Sequence, residues 1–210
     1  MNPAEGRQAT AGRPALRIHV TVWHKHGDMP HQRARKPRPP LDARRLDELA
    51  LFYVGRFATS RAKLIFYLER KVRERGWEDT AEPGVEAVAD RLVRLGYVDD
   101  AAFALSKARA LTGRGYGEGR VRQSLRAAGI GEDDGAGARE LAAASAITAA
   151  VKFAQRRGLG PFGKSELDMR GRERALSAMI RAGHGFALAK AILSLAPGAE
   201  VDEEQLAEAR

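Results

Sequence analysis

Gly96-Tyr97-Val98-Asp99-Asp100-Ala101-Ala102-Phe103-Ala104 is the stretch that decides how this chain folds. Before it, Val85, Val88, Leu92 and Leu95 recur at spacings of three and four, the apolar stripe of a helix. Gly96 then stands where a left-handed cap closes that helix, a conformation glycine adopts freely because it has no Cβ. Asp99 or Asp100 caps the next helix by accepting its unpaired backbone N–H groups and opposing the positive end of its dipole. Phe103 opens the new apolar face. The stretch reads as a tight helix–helix junction.

Outward from the junction, the helical pattern continues in both directions. Leu46, Leu49, Ala50, Tyr53 and Phe57 form one stripe. Leu64, Ile65, Leu68 and Val72 form a second, with Ser60 as N-cap and Gly76 as stop. Beyond Asp100 a fourth helix ends before Gly113, and a fifth carries Val121, Leu125 and Ala128 and ends at Gly129. A sixth, long and alanine-rich, is expected from about Ala138 to Arg156. Leu176, Met179 and Ile180 mark a seventh; Leu188, Ile192 and Leu193 mark an eighth, closed by Pro197.

Ser60, Leu64 and Leu68 map onto Gly117, Val121 and Leu125, and again onto Gly185, Ala189 and Leu193: a capping residue, then apolar positions four and eight residues on. Together with the recurring preceding helix, this predicts an all-α fold of tandem three-helix repeats. No single repeat is large enough to bury its own stripe, so neighbours must stack into an elongated, curved body. The expected organisation is a first unit over 41–98, a second over 99–158, a third and divergent one over 159–196, and an acidic tail over 197–210.

Residues 1–40 differ in kind. Eight basic residues face only Glu5 and Asp28, and Arg33-Ala-Arg-Lys-Pro-Arg-Pro-Pro40 cannot continue a helix, so this is expected to be a disordered basic arm. Leu16, Ile18, Val20 and Val22 alternate like a lone strand with nothing to pair with. His19, His24, His26 and His31 lack carboxylate or thiolate partners at ligand spacing. Met29, just before the arm, is a candidate natural start.

The 210 residues are 44% apolar but only 6% aromatic, so the core must be built largely from Leu, Ala, Val and Ile. The absence of cysteine excludes disulfides and thiolate metal sites and suits the cytoplasm. No apolar run approaches the roughly 18–20 residues of a membrane span, and no signal-peptide pattern is present. The net charge of +9 is unevenly placed. Residues 56–75 hold seven basic side chains against two acidic, residues 106–126 six against one, and residues 152–190 nine against three. Residues 78–100 are acidic between them. Basic blocks that recur with the helices favour a polyanionic partner, or a partner already carrying one.

No enzyme signature survives inspection. Gly113-Arg114-Gly115-Tyr116-Gly117-Glu118-Gly119 is glycine-rich, but no Gly-Lys-Ser/Thr follows it and no strand precedes it, so it reads as a flexible connection. Asp99 and Asp100 are more simply caps than an acid/base pair. His184, between two glycines, reads as a turn histidine without a catalytic partner. No cofactor or metal is expected. The candidate partner- and DNA-binding residues are Arg56, Arg61, Lys63, Arg70, Lys71 and Arg73 in the first block, with Arg114, Arg120, Arg122 and Arg126 in the second. Guanidinium groups offer forked donors for phosphate or carboxylate, and lysine a mobile point charge.

The wording of the junction, Gly-Tyr-Val-Asp-Asp followed by Phe-Ala, resembles the signature of the RecX family, regulators of the RecA recombinase. Ser60-Arg61-Ala62-Lys63-Leu64 with Tyr67-Leu68 is similar to that family's first-repeat helix. Gly117-Glu-Gly-Arg-Val-Arg-Gln-Ser-Leu125 with Gly129-Ile130 is similar to its second. Arg181-Ala182-Gly183-His184, with Phe186 and Leu193, resembles the last repeat more loosely, and Leu159-Gly-Pro-Phe162 occurs in some members. The likeness covers roughly 41–196 and stops before Leu41. It implies a monomeric protein that lodges in the groove of RecA–DNA filaments and restrains ATP hydrolysis, strand exchange and co-protease activity. Single- and double-stranded DNA, bound without sequence preference, would be a further partner. The alternative is an autonomous DNA-binding protein of helix-turn-helix type, which would need a recognition helix aimed at base edges.

Overall fold

Asp42 opens the first helix: its carboxylate accepts the Arg45 amide at 2.7 Å and begins α1 (Ala43–Val54). The computed structural model describes residues 38–209. Residues 1–37, and with them nearly all of the basic arm, the lone strand, the histidines and Met29, lie outside the described residues.

α1 packs with α2 (Arg61–Arg75) and α3 (Val85–Arg94) around Leu46, Ala50, Leu64, Leu68, Val88 and Leu92. Leu41 belongs to this core with no exposed surface, and it is pinned on both sides of its peptide: its N–H donates to the Gly76 carbonyl at 2.9 Å and its carbonyl accepts from Glu78 N–H at 2.8 Å. A second core joins α4 (Asp100–Thr112), α5 (Glu118–Arg126) and α6 (Glu132–Ala144). Ala104, Ala108, Ala138 and Ala142 lie within it, small side chains that let α4 and α6 approach closely. A third core joins α7 (Ala146–Arg157), α8 (Met169–Arg181) and α9 (Phe186–Ser194) around Phe153, Met179, Leu188 and Ile192. Among the described residues the fold is all-α, with a single 3-10 turn at Gly160–Phe162.

The junction folds as its residues dictate. Gly96 has φ of +76°, and the Tyr97 N–H reaches back to the Leu92 carbonyl at 2.9 Å. The two aspartates divide the work. Asp99 caps α4 through the Ala102 amide at 2.8 Å, whereas Asp100 accepts the Arg61 amide at 2.8 Å and so serves the start of α2.

The structure revises or completes several of these expectations. The long sixth helix is broken at Ser145, and the break separates residues that enter different cores: Ala142 faces the second, Ala146 the third. Serine competes for its own backbone groups and tolerates such a break. Consequently α7, which the sequence assigns to the second unit, packs with α8 and α9. The acidic tail contains α10 (Glu203–Glu208), whose Leu206 is buried in the third core. Finally, the glycine-rich segment is no loose connection: Gly115 and Gly117 are buried, and the Gly117 and Gly119 N–H groups donate to Ala182 and Gly183 carbonyls at 3.0 and 2.9 Å.

Those bonds show how the helices join. The start of α2 meets the end of α5, where the Ser60 hydroxyl donates to the Ala128 carbonyl at 2.6 Å. The start of α5 meets the end of α8 in the same sense. Each contact sets a positive helix end against a negative one, a favourable pairing of dipoles. By these contacts α5 stands to α2 as α8 stands to α5, and the N-cap of α8 is Asp168. α8 buries Gly171, Ala175 and Met179, three, seven and eleven residues after its cap, a spacing unlike the four and eight of α2 and α5.

Candidate nucleic-acid and protein interface

Because α2 presents Leu64 and Leu68 inward, its charged residues are left on its flanks and outer face. Arg61 is committed: its Nε lies 2.6 Å from an Asp90 oxygen, which holds the Asp90 carboxyl below, and the Arg61 guanidinium above, their ordinary values. It positions α2 against α3. Lys63 is half-buried, with its ammonium 5.5 Å from the Phe103 ring. Arg70 and Lys71 both lie 5.8 Å from the Tyr67 ring centroid and share Glu74 at 3.7 and 2.5 Å. Arg73 is exposed, with no partner among the described residues, and Arg56 projects over the Phe52 ring at 5.9 Å.

The second block sits on and beside α5, whose Val121 and Leu125 are its buried face. Arg120 lies over Tyr116 at 5.9 Å and donates to Gln123 at 2.8 Å. Arg122 is 3.7 Å from Glu118, one turn back. Arg114 and Arg126 are exposed and their side chains make no ion pair among the described residues. An exposed pair such as Arg70–Glu74 is worth about 0–1 kcal/mol, so its cation can exchange a carboxylate for a phosphate at little cost. The structure thus exposes Arg56, Arg70, Arg73, Arg114, Arg120, Arg122 and Arg126, keeps Lys63 and Lys71 half-buried, and pairs Arg61 with Asp90 in a partly exposed contact.

Two features go beyond the sequence reading. One lies in the third basic block, for which the sequence analysis named no side chain: Arg156 donates to the Arg114 carbonyl at 2.5 Å, and with Arg157 flanks Phe153 at 5.7 Å. The other is the pairing of cations with aromatic rings. Its signal was present as aromatic and basic residues three or four apart, as in Phe52/Arg56, Tyr67/Arg70 and Tyr116/Arg120.

Catalytic constellations do not form around the residues weighed for that role. Asp99 and Asp100 are both occupied as caps. His184 is buried, with Nε2 3.1 Å from the Gly115 carbonyl and the ring 5.3 Å from Phe153, and its burial lowers its pKa. Its Nδ1 is buried without a partner. Among the described residues no group of three His, Asp or Glu could hold a metal ion, and no helix is long and apolar enough to cross a membrane.

No family model matches the chain. The regulatory protein RecX of Myxococcus xanthus is 32% identical over 177 residues, covering 79% of this chain and 91% of that relative. A crystal structure of a regulatory protein RecX superposes with a TM-score of 0.52 at 24% identity, over 71% of this chain and 70% of that one. The crystal structure of RecX from Lactobacillus salivarius does so with a TM-score of 0.51 at 17% identity, over 71% and 93%. These two likenesses establish the fold.

Proposed function

The chain belongs to the RecX family of regulatory proteins, and from that premise we propose that it binds RecA–DNA filaments and restrains the recombinase. In this reading it is a monomeric, cytoplasmic, non-enzymatic regulator without a cofactor. It occupies the filament groove and slows ATP hydrolysis, strand exchange and co-protease activity. Free DNA is bound weakly and without sequence preference, since phosphate neutralisation carries no sequence code.

The observation that carries the reading is the placement of accessible cations on α2 and α5, two helices joined end to end by the Ser60–Ala128 hydrogen bond. Cations on a loosely tethered pair of helices would lose their spacing. Here a buried hydroxyl-to-carbonyl bond fixes it, as binding to a periodic surface of protein and phosphate requires.

Co-sedimentation with recombinase–DNA filaments, compared with DNA alone, tests the proposal alongside DNA-dependent ATP hydrolysis. The expected result is pelleting with filaments at a salt concentration that abolishes pelleting with DNA, together with slowed hydrolysis. Unchanged hydrolysis at saturating protein would overturn it. Strong preference for one duplex sequence would favour the helix-turn-helix alternative.

A further inference from the structure

Phe52, Phe57 and Phe66 leave 61%, 52% and 61% of their surface exposed. The chain has only seven phenylalanines, and three stand in water on or just beyond the first two helices. Phe57 joins a row of packed rings, and Phe52 and Phe66 each adjoin a member of that row in the chain. Phe57 lies 5.3 Å from the Tyr53 ring, and Tyr53 stacks on Tyr67 at 4.0 Å with planes 16° apart, so a continuous aromatic ladder links the end of α1 to the middle of α2. Phe66 is next to Tyr67 in the chain and one helical turn from Arg70.

Cations are interleaved with these rings. Arg56 lies 5.9 Å from the Phe52 centroid and Arg70 5.8 Å from that of Tyr67. The stretch 56–75 carries seven basic residues against two acidic ones, and Glu74 is shared between Arg70 and Lys71. An occupant must therefore offer flat apolar faces and closely spaced negative charge together. Single-stranded nucleic acid does so: each base has a π-face, and a phosphate follows every base. In a duplex the bases are already stacked on one another and cannot reach the rings.

We propose that this face of α1 and α2 binds single-stranded nucleic acid, with bases stacked on Phe52, Phe57 and Phe66 and phosphates taken by Arg56 and Arg70. The inference deepens the polyanion-binding part of the proposed function and does not depend on the recombinase. It replaces indifference between strand forms with a preference for unpaired strands.

The test uses the full chain and fluorescence anisotropy, with a short oligothymidylate and a duplex of equal length. The parent is expected to bind the single strand more tightly. Combined Phe52→Ala, Phe57→Ala and Phe66→Ala should weaken that binding by about tenfold or more while leaving duplex affinity and salt dependence unchanged. Arg56→Gln with Arg70→Gln should instead flatten the salt dependence on both ligands. The rings are exposed, so the triple variant should keep its circular dichroism; if it does not, the three single variants carry the same comparison. Equal parental affinity for both ligands, no binding at low salt, or undiminished single-strand binding by the triple variant overturns the proposal. So does a triple variant that keeps its oligonucleotide affinity but no longer pellets with filaments, which would make the patch a protein-docking face. Slowed ATP hydrolysis by the parent without single-strand preference would refute this inference alone. Single-strand preference with no effect on hydrolysis would refute the recombinase reading alone.

Discussion

The Ser60 hydroxyl donates to the Ala128 carbonyl at 2.6 Å while its oxygen accepts the Lys63 amide at 3.3 Å, and the residue has no exposed surface. One side chain thus caps α2 and satisfies the end of α5. Ser60→Ala removes the cap and leaves a buried carbonyl unpaired, at a cost on the order of 1–3 kcal/mol. Urea denaturation should show a lower midpoint with an unchanged slope. A midpoint equal to that of the parent would mean that water replaces both bonds.

The crossing of α5 over the α8–α9 turn tolerates no side chain. Gly183 has φ of +93°, and a Cβ there would lie 2.2 Å from the Arg120 nitrogen; a Cβ on Gly117 would lie 2.4 Å from the Gly183 oxygen. Gly183→Ala should therefore cost on the order of 3 kcal/mol or more. Gly185→Ala, two residues on in open space at φ of −64°, should cost less than about 1 kcal/mol. Thermal unfolding of both variants checks the contrast.

Substitutions at Asp99 and Asp100 should have different consequences. Asp99→Ala loses an ordinary cap, about 0.5–2 kcal/mol. Asp100 accepts the Arg61 amide from a half-buried position, and burial raises its pKa. Asp100→Asn keeps an acceptor without the charge and should leave stability at neutral pH unchanged or higher, while Asp100→Ala should lower it. Equal losses for the Asn and Ala variants would show that the charge itself is required.

Burial lowers the His184 pKa from its ordinary value of 6.5, so in acid the unfolded chain binds a proton that the folded one refuses. Stability is then full above pH 6.5 and falls as pH drops below it. His184→Gln retains a donor for the Gly115 carbonyl and removes the titration. The thermal midpoint of the parent should decline between pH 7 and pH 5 more steeply than that of the variant; parallel declines would place the titration elsewhere.

Charge reversal should spare the fold only where the cation has no structural partner. Arg73→Glu, Arg114→Glu and Arg126→Glu combined should retain the parental circular dichroism and lose inhibition of DNA-dependent ATP hydrolysis, because several exposed charges act together where one contributes little. Arg61→Glu should destabilise the protein, since it sets two carboxylates against each other at Asp90. A folded triple variant that inhibits as well as the parent would remove these side chains from the interface.

Local signals were legible in the sequence. Gly96, Ser60 and Asp99 perform the terminal roles their types suggest, and Leu64, Leu68, Val121 and Leu125 are buried as their spacing requires. Relations between helices distant in the chain were not. Nothing near Asp100 says that its carboxylate reaches back to Arg61, and nothing near Gly117 says that another backbone crosses it. The glycines were read as loose because closeness to Gly183, 66 positions away, leaves no local pattern. For the same reason nothing near Arg61 in the chain foretells that Asp90 lies beside it. Cation–aromatic pairs were within reach, since their three- and four-residue spacing is a local helical property.

Asp100 belongs to α4 yet completes the first turn of α2, and Ala128, beyond α5, completes Ser60. A chain severed before Asp99 would keep every residue of the first core and still lose both acceptors. Unfolding of the first two cores is thereby coupled: neither can melt without exposing unpaired main-chain groups in the other. Hydrogen exchange at the Arg61 amide should consequently report the opening of α4, not a local fraying of α2. The cations on α2 and α5 are held, or lost, in one cooperative step.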